Sequence, residues 1–401
     1  MNILIATTGF PDTRNADFAG KFVLNEALAY THNAAWVRVL TPHQPGAKKQ
    51  ELAHERLQVI RFRYFLPERF QRLKTPNQPM YGQRSFLSLL QIPLIVTVFM
   101  VQLLKHGRWA DIIHCQWTVT ALLALPCKWL LGKKIVMTVR GSDIRLLPKT
   151  LNRFIHAHVD AVVDCYGDQK SNYENQKNFP ANYVKLPLIV EDPTTVSPAM
   201  PAGMQTAIKQ GPAPFIIIYL GRFDRIKIES GLPVLDLIEA ANVIRENHSI
   251  DFHIFYIGDG DTEIRARMQD QIGKYGLQHR ITLLGPKKNV YDYLRFCDLG
   301  IGGIAFNAVS QEFSCLDKAQ LLFEGSNNRE TPWEDRVSTL FFKAQDVHSL
   351  SQALVYAMKD KNRLKNIGRQ AHALMNRYVQ NPANGGAAYV QAFSELITQS
   401  K

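Results

Sequence analysis

The strongest constraint on this chain is an alternation, made twice, of short apolar runs with stretches of helical period. In the first half the runs are Ile3–Thr7, Trp36–Thr41, Leu57–Phe62, Asp111–Cys115, Lys134–Val139 and Ala161–Cys165, separated by helical patterns such as Lys21–Tyr30 and Val119–Leu131. Unbroken apolar strands spaced by helices predict a parallel sheet covered on both faces. A Pro- and Thr-rich stretch, Glu191–Pro201, then reads as a linker. The alternation restarts with strands at Phe215–Leu220, Asp251–Ile257, Ile281–Leu284, Leu299–Gly303 and Thr339–Phe342, and helices near Leu232–Arg245, Glu263–Tyr275, Val290–Phe296 and Phe313–Glu324. The expectation is an α/β protein of two Rossmann-like, doubly wound domains facing a central cleft, residues 1–190 and 214–375, joined by a linker at 191–213. A last segment, 376–401, carries a helix at Ala387–Thr398 that is available to pack back on the first domain. With 401 residues, 46% of them hydrophobic, the chain is long enough for two sizeable cores.

The formal net charge of +12 comes from one half: residues 1–190 hold 24 Lys and Arg against 12 Asp and Glu, and residues 191–401 hold 23 against 23. Between Arg56 and Arg108, the cations Arg56, Arg61, Arg63, Arg69, Arg72, Lys74, Arg84, Lys105 and Arg108 face a single acid, Glu68. Phe62, Tyr64, Phe65, Phe70, Tyr81, Phe86 and Phe99 are interleaved with them. Such a segment suits an anionic membrane surface, an acidic glycan or a nucleic acid, and equally a solvated basic face whose aromatics turn into the core. No helix-turn-helix, zinc or RNA-binding pattern accompanies the charge, so nucleic acid is not expected as a partner. The longest apolar run, Phe86–Leu104, contains a Pro and two Gln and is near the minimum spanning length, which fits a buried or interfacial helix better than a membrane span. Cys115, Cys127, Cys165, Cys297 and Cys315 are widely spaced and form no metal-binding pattern, so reduced thiols are expected. Met1–Ala6 reads directly as a strand, without the pattern of a signal peptide. The expected location is the cytoplasm, with a peripheral contact at the inner face of the membrane through residues 56–108.

In open α/β sheets ligands lie at the carboxyl ends of the strands, so the residues just past each run carry the functional reading. "LGRFDRIK", residues 220–227, places Arg222 and Lys227 past the strand Phe215–Leu220. Taken alone they read more simply as solvated loop charges. Gly258-Asp259-Gly260 follows the strand ending at Ile257, and Gly285 follows the one ending at Leu284. Glycine in such places lets backbone approach a ligand, and plain turns use it as well.

In order and spacing these pieces resemble the retaining, nucleotide-sugar-dependent glycosyltransferases of the GT-B fold, the large family usually numbered four, over nearly the whole chain. The resemblance implies that Arg222 and Lys227 clamp the diphosphate of the sugar donor, where they stabilise the charge that builds on the leaving phosphate. Gly258, Asp259 and Gly285 then belong to the loops around the nucleotide. The family's pattern of Glu, seven residues, Glu falls on "SQEFSCLDKAQLLFEG": Glu312 would face the reacting sugar, and Gln320 stands where a second Glu takes the ribose hydroxyls. An amide there keeps a hydrogen bond and loses its charge assistance. Phe313, Ser314 and Cys315 would offer backbone N–H groups to phosphate or sugar. In the first half, "TTGFPDTRNADFAGKFVLNEALAY" looks like the family's first loop and helix, with Gly20 near donor and acceptor. "ADIIHCQW" and "VMTVRGSDI" resemble its "DIIHxHW" and "TxHGSD" segments: His114 is retained, Asp143 is kept, and Arg140 replaces a His that contacts the transferred sugar. These three are placed on the acceptor and sugar side, with a core role the simpler reading of His114. After Gly325, where relatives continue with a Gly-x-Pro-Val strand, this chain has the polar insert "SNNRETPWEDRVS".

The expected function is transfer of a sugar, with retention, from a nucleotide diphosphate sugar to a glycan or lipid-linked acceptor. No cofactor beyond that co-substrate is implied, and two protein cations make a metal unnecessary. The chain shows no Ser/His/Asp or Cys/His constellation, and none is needed if the leaving phosphate takes the acceptor proton. Arg140, Gln320 and the insert also suit a catalytically weak scaffold that binds a glycan or a protein, and a nucleotide-sugar epimerase shares the fold but fits the motif order less well.

Overall fold

The computed structural model describes residues 1–12, 20–73, 86–139, 147–165, 182–190, 199–208, 214–229, 231–303, 308–324, 333–376, 379–380 and 382–399. The chain divides into two compact units, Met1–Glu191 with Tyr378–Lys401, and Asp192–Arg377. In the first, β1 (Asn2–Ala6), β2 (Trp36–Pro42), β3 (Gln50–His54), β4 (Leu57–Phe62), β5 (Ile112–Gln116), β6 (Lys134–Val139), β7 (Ala161–Asp164) and β8 (Tyr183–Lys185) form one sheet. Its order is β3-β4-β2-β1-β5-β6-β7-β8, parallel except at the edge pair β3 and β4. Alternate residues of β1 feed two cores: Leu4 and Ala6 join Phe99, Leu103 and Ala121, while Ile3 and Ile5 join Val23, Tyr30 and Tyr389. One face is therefore covered by the helices Ile92–Gly107, Thr118–Leu131 and Lys149–His158, and the other by Lys21–His32 and Pro382–Thr398. Burial on both faces is why these strands read as unbroken apolar runs.

The first stretch of the first unit ends with β9 (Leu188–Ile189); in the second unit, after the short helix Ala202–Ala207, come β10 (Phe215–Leu220), β11 (Phe252–Ile257), β12 (Ile281–Gly285), β13 (Leu299–Gly303), β14 (Ala319–Glu324) and β15 (Leu340–Lys343). Their order is β12-β11-β10-β13-β14-β15, with every pair parallel. The chain winds outward from β10 in one direction and then from β13 in the other. The order thus reverses between β10 and β13, which opens a crevice at their carboxyl ends. Both units are mixed α/β with parallel sheets, as expected.

One expected element is replaced. The helix predicted near Phe313–Glu324 is a shorter helix, Ala308–Ser314, followed by β14. The helix stops because Asp317 adopts φ 56°, while Lys318 N–H donates to Phe313 O at 3.1 Å and Asp317 N–H to Ser314 O at 3.1 Å, closing the turn. The apolar run from Ala319 to Phe323 is then buried as a strand, a case that periodicity alone does not separate from helix. The expected linker lies largely outside the described residues; within it, Met204 of Ala202–Ala207 is buried against Ile216 and Ile218 of the second unit.

The last segment returns to the first unit. β16 (Val379–Gln380) pairs in parallel with β9, and Tyr389 Oη donates to Pro187 O at 2.9 Å. A Cβ at Gly386 would lie 2.0 Å from Ala29 O, so only glycine allows the terminal helix to lie this close to Lys21–His32. Among the described residues no helix is long and apolar enough to cross a membrane. None of the five cysteines is in a disulfide; burial pushes the Cys127 thiol up to about 11 and the Cys297 thiol up to about 12.

Candidate functional site

The loops past β10, β11 and β12 continue to hydrogen-bond beyond the sheet. Gly221 N–H donates to Ile257 O at 3.0 Å, Phe223 N–H to Asp259 O at 3.0 Å, Asp261 N–H to Phe223 O at 2.9 Å and Gly258 N–H to Gly285 O at 3.2 Å. A Cβ at Gly258 would stand 1.9 Å from Gly221 O, and one at Gly260 would stand 2.2 Å from Phe223 O. These glycines are therefore required for loop to meet loop, where the sequence suggested approach to a ligand. Gly285 has nothing within 4 Å of its Cβ position and is a turn residue at φ 70°.

This zipped base presents Arg222 and Lys227 at the carboxyl end of β10, beside the crevice. The Arg222 side chain is 56% exposed, with Nη1 3.3 Å from Asp224 Oδ2. Asp224 Oδ1 also accepts from Lys227 N–H at 2.8 Å, which starts the short helix Arg225–Glu229. Burial holds the Lys227 ammonium below the usual lysine range, the Arg222 charge lowers it further, and Asp224 offsets part of this. Two cations held close, one of them partly dehydrated, attract an anion more strongly than either alone. Beneath them Tyr219 is fully buried, its ring 5.2 Å from Tyr256 and 5.8 Å from Phe223, and burial followed by the Asp224 charge raises its hydroxyl.

Asp259 and Asp261 have the Asp-x-Asp spacing that can hold a metal in other proteins, a pattern the sequence reading passed over. Here both are engaged: Asp261 Oδ2 accepts from Arg225 N–H at 3.1 Å, and Asp259 Oδ1 accepts from Gly260 N–H at 2.9 Å and lies 3.7 Å from Arg265 Nη1. No group of three or more metal-binding side chains occurs among the described residues.

Glu312 lies half-buried on Ala308–Ser314, the helix that follows β13 at the other side of the crevice. Its neighbours differ from expectation. Because the helix begins at Ala308, the N–H groups of Phe313, Ser314 and Cys315 belong to its last turn; Cys315 N–H donates to Gln311 O at 2.9 Å, so it is no open anion donor. The Phe313 ring plugs the space over Gly300, whose Cβ would be 2.5 Å away. Gln320 is fully buried beneath the helix, where Nε2 donates to Ser310 O at 3.0 Å and to Ser314 Oγ at 3.1 Å. It holds the helix to β14 through these two bonds. Gln311, which the sequence did not single out, is also fully buried, and both its amide atoms lack a hydrogen-bond partner among the described residues.

In the first unit the strand order reverses between β1 and β5. Gly20 opens Lys21–His32 there at φ 84°, and its Cβ would be 2.4 Å from Gly9 O, so Gly20 itself lies against the residues just past β1. Trp117, just past β5, holds φ 74°, costly for a bulky residue, with its ring edge-on to Phe22 at 5.9 Å. It too was missed, since nothing in a sequence marks a left-handed tryptophan. His114 is fully buried, with Nδ1 3.1 Å from Tyr30 Oη and Nε2 2.6 Å from Thr138 Oγ1. Arg140 and Asp143 lie outside the described residues. In the basic segment, Arg61 is a core residue; it binds Glu51 Oε2 at 2.8 Å and Pro11 O at 2.9 Å, and Arg63 pairs with Glu68.

No family model and no curated protein matches the sequence. Solved structures do. Sucrose-phosphate synthase from Thermosynechococcus elongatus superposes over 100% of both chains with TM-score 0.76 and 16% identity. Anabaena HepE in complex with UDP and glucose matches 98% of this chain and 99% of its own with TM-score 0.72 and 15% identity. The lipopolysaccharide outer core galactosyltransferase WaaB matches 100% of both chains with TM-score 0.61 and 13% identity. The fold is that of the GT-B glycosyltransferases. At these identities the likeness is one of fold, and the chemistry has to be argued from the site.

Proposed function

We propose that the protein transfers a sugar from a nucleotide diphosphate sugar to a glycan or lipid-linked acceptor, with retention of configuration. The observation that carries this reading is the pairing of Arg222 with a partly dehydrated Lys227 at the carboxyl end of β10, next to the crevice between β10 and β13. Such a pair suits the charge that develops on a leaving diphosphate, in the way fixed donors stabilise a developing oxyanion. The complexes of HepE with UDP and with UDP-glucose make UDP the first nucleotide to test. Glu312, across the crevice, is assigned to the reacting sugar, and Arg140 and Asp143 to the acceptor side. With two cations on the diphosphate no metal is assigned to the reaction. We assign it to the cytoplasm, where cysteines outside disulfides stay reduced.

The test is incubation of the purified protein with UDP-sugars and a panel of glycan and polyprenyl-phosphate acceptors in chelator, with the anomeric configuration of any product read by NMR. Turnover with the donor's configuration kept supports the reading. Inverted product, or turnover that requires a divalent metal, overturns those parts of it. The scaffold alternative draws on the burial of Gln320; ordinary turnover with any donor eliminates it.

A further inference from the structure

The helices Ile92–Gly107, Thr118–Leu131 and Lys149–His158 bury Phe99, Leu103, Ala121 and Ile155 against one face of the first sheet. A helix covering a sheet ordinarily turns a polar stripe to water. This layer instead exposes Leu94 and Val101 on the first helix, Trp129 and Leu130 on the second and Phe154 on the third, Leu130 at 70%. Just ahead of the first helix, Phe86, Leu89 and Leu90 are exposed as well, Phe86 at 75%. Gln91 ties this knob to the preceding loop: Nε2 donates to Phe70 O at 2.7 Å and Oε1 accepts from Arg72 N–H at 3.0 Å. Exposed Arg69, Phe70 and Arg72 are thereby set beside it, and Glu68 next to them is held by Arg63.

The charge on the layer has one sign. Residues 86–108, 118–134 and 147–158 contain seven Lys or Arg and no Asp or Glu. Lys128 and Lys134 pair with Asp160, at 3.1 and 3.2 Å. Lys105, Arg108, Lys149 and Arg153 are exposed, with no acidic partner among the described residues.

We propose that this layer docks on an anionic lipid bilayer, with the Phe86–Leu94 knob entering the headgroup boundary and the cations resting on the headgroups. Exposed aromatic and aliphatic side chains among unpaired Lys and Arg match both halves of such an interface. A second copy of the chain fits poorly: a two-fold contact sets a patch against itself, and here that would oppose like charges with no acid between them. The surface also differs from the one the sequence suggested, since Arg61 is buried and Arg63 is paired, and the exposed cations lie mainly on the helices. The inference concerns the first unit alone and does not depend on sugar transfer.

The full chain is cosedimented with vesicles of phosphatidylcholine, and with vesicles of equal parts phosphatidylcholine and phosphatidylglycerol. Binding to the mixed vesicles, weak on neutral ones and weakened by salt, is expected. Each Lys or Arg at an anionic surface strengthens binding about fivefold, so Lys105→Glu/Arg108→Glu should weaken it at least about tenfold. Leu90→Glu/Leu94→Glu should abolish it, with UDP binding and the melting midpoint of both variants unchanged because all four positions are exposed. Equal binding to both vesicle types, or variants that bind like the parent, overturns the proposal. So does self-association that these variants dissolve, which would assign the face to a second copy.

Discussion

Replacing Gln320 by Glu separates the structure from the family pattern. If residue 320 faced a ribose, a carboxylate would strengthen nucleotide binding through charge-assisted hydrogen bonds and leave stability alone. The structure implies the reverse. Gln320 is fully buried and spends its amide N–H groups on Ser310 O and Ser314 Oγ, a carbonyl and a hydroxyl that already donates to that same carbonyl at 2.7 Å. A carboxylate can donate to neither. Losing two hydrogen bonds costs roughly 1–2 kcal/mol, and burying an ionised carboxylate among acceptors costs more, so the side chain takes up a proton at a raised pKa. Between the unfolded value, near about 4.3, and the raised folded value, the folded state binds more protons, so the variant loses about 1.4 kcal/mol of stability per pH unit as pH rises. Near neutrality the total deficit is about 2–5 kcal/mol, or roughly 4–15 °C for a unit of this size. Differential scanning calorimetry across pH 5 to 8 reads it directly. The expected result is a deficit that grows with pH and persists with saturating nucleotide. A midpoint within about 1 °C of the parent at pH 7, together with tighter UDP binding, would refute the buried role.

Gly258→Ala should cost more than about 3 kcal/mol, since the new methyl meets Gly221 O at 1.9 Å at φ 147°; thermal melting checks it, and a near-normal midpoint would mean the loops are not zipped as described. Arg61→Met should destabilise by about 2–4 kcal/mol by removing the buried guanidinium from half-buried Glu51 and from Pro11 O, whereas exposed Arg72→Ala should stay within about 0.5 kcal/mol by urea titration. Lys227 is the titrating member of the cation pair. Its ammonium is lowered in the free protein, and a bound diphosphate favours the charged form, so nucleotide binding in mildly alkaline buffer should take up protons. Calorimetry in two buffers of different ionisation heat measures that uptake, and Lys227→Arg should remove it because arginine does not titrate there.

Much of the fold could be read in advance because both sheets are buried on both faces, which leaves nearly every strand as a continuous apolar run. β3 escaped notice since Gln50–His54 is a polar edge strand, paired on one side only. β14 was taken for helix since Ala319–Phe323 is too short for its period to show. The site divides similarly. The position of Arg222 and Lys227 past the carboxyl end of β10 was legible because they directly follow a buried apolar run. The surroundings of Arg61 and His114 were not legible because they come from residues distant in the chain, Pro11 for Arg61 and Tyr30 for His114, and those of Gln320 because they depend on where the preceding helix ends. Trp117 and the glycine contacts depend on backbone geometry that only the folded chain displays.

The most direct test of the account is calorimetric titration of the purified protein with UDP, repeated on Arg222→Ala/Lys227→Ala. The account predicts binding to the parent and a loss of at least about tenfold in the double variant, with its melting midpoint unchanged. Equal affinity in both proteins, or no binding of UDP or any other nucleoside diphosphate at millimolar concentration, would contradict the claim that this pair receives a nucleotide diphosphate.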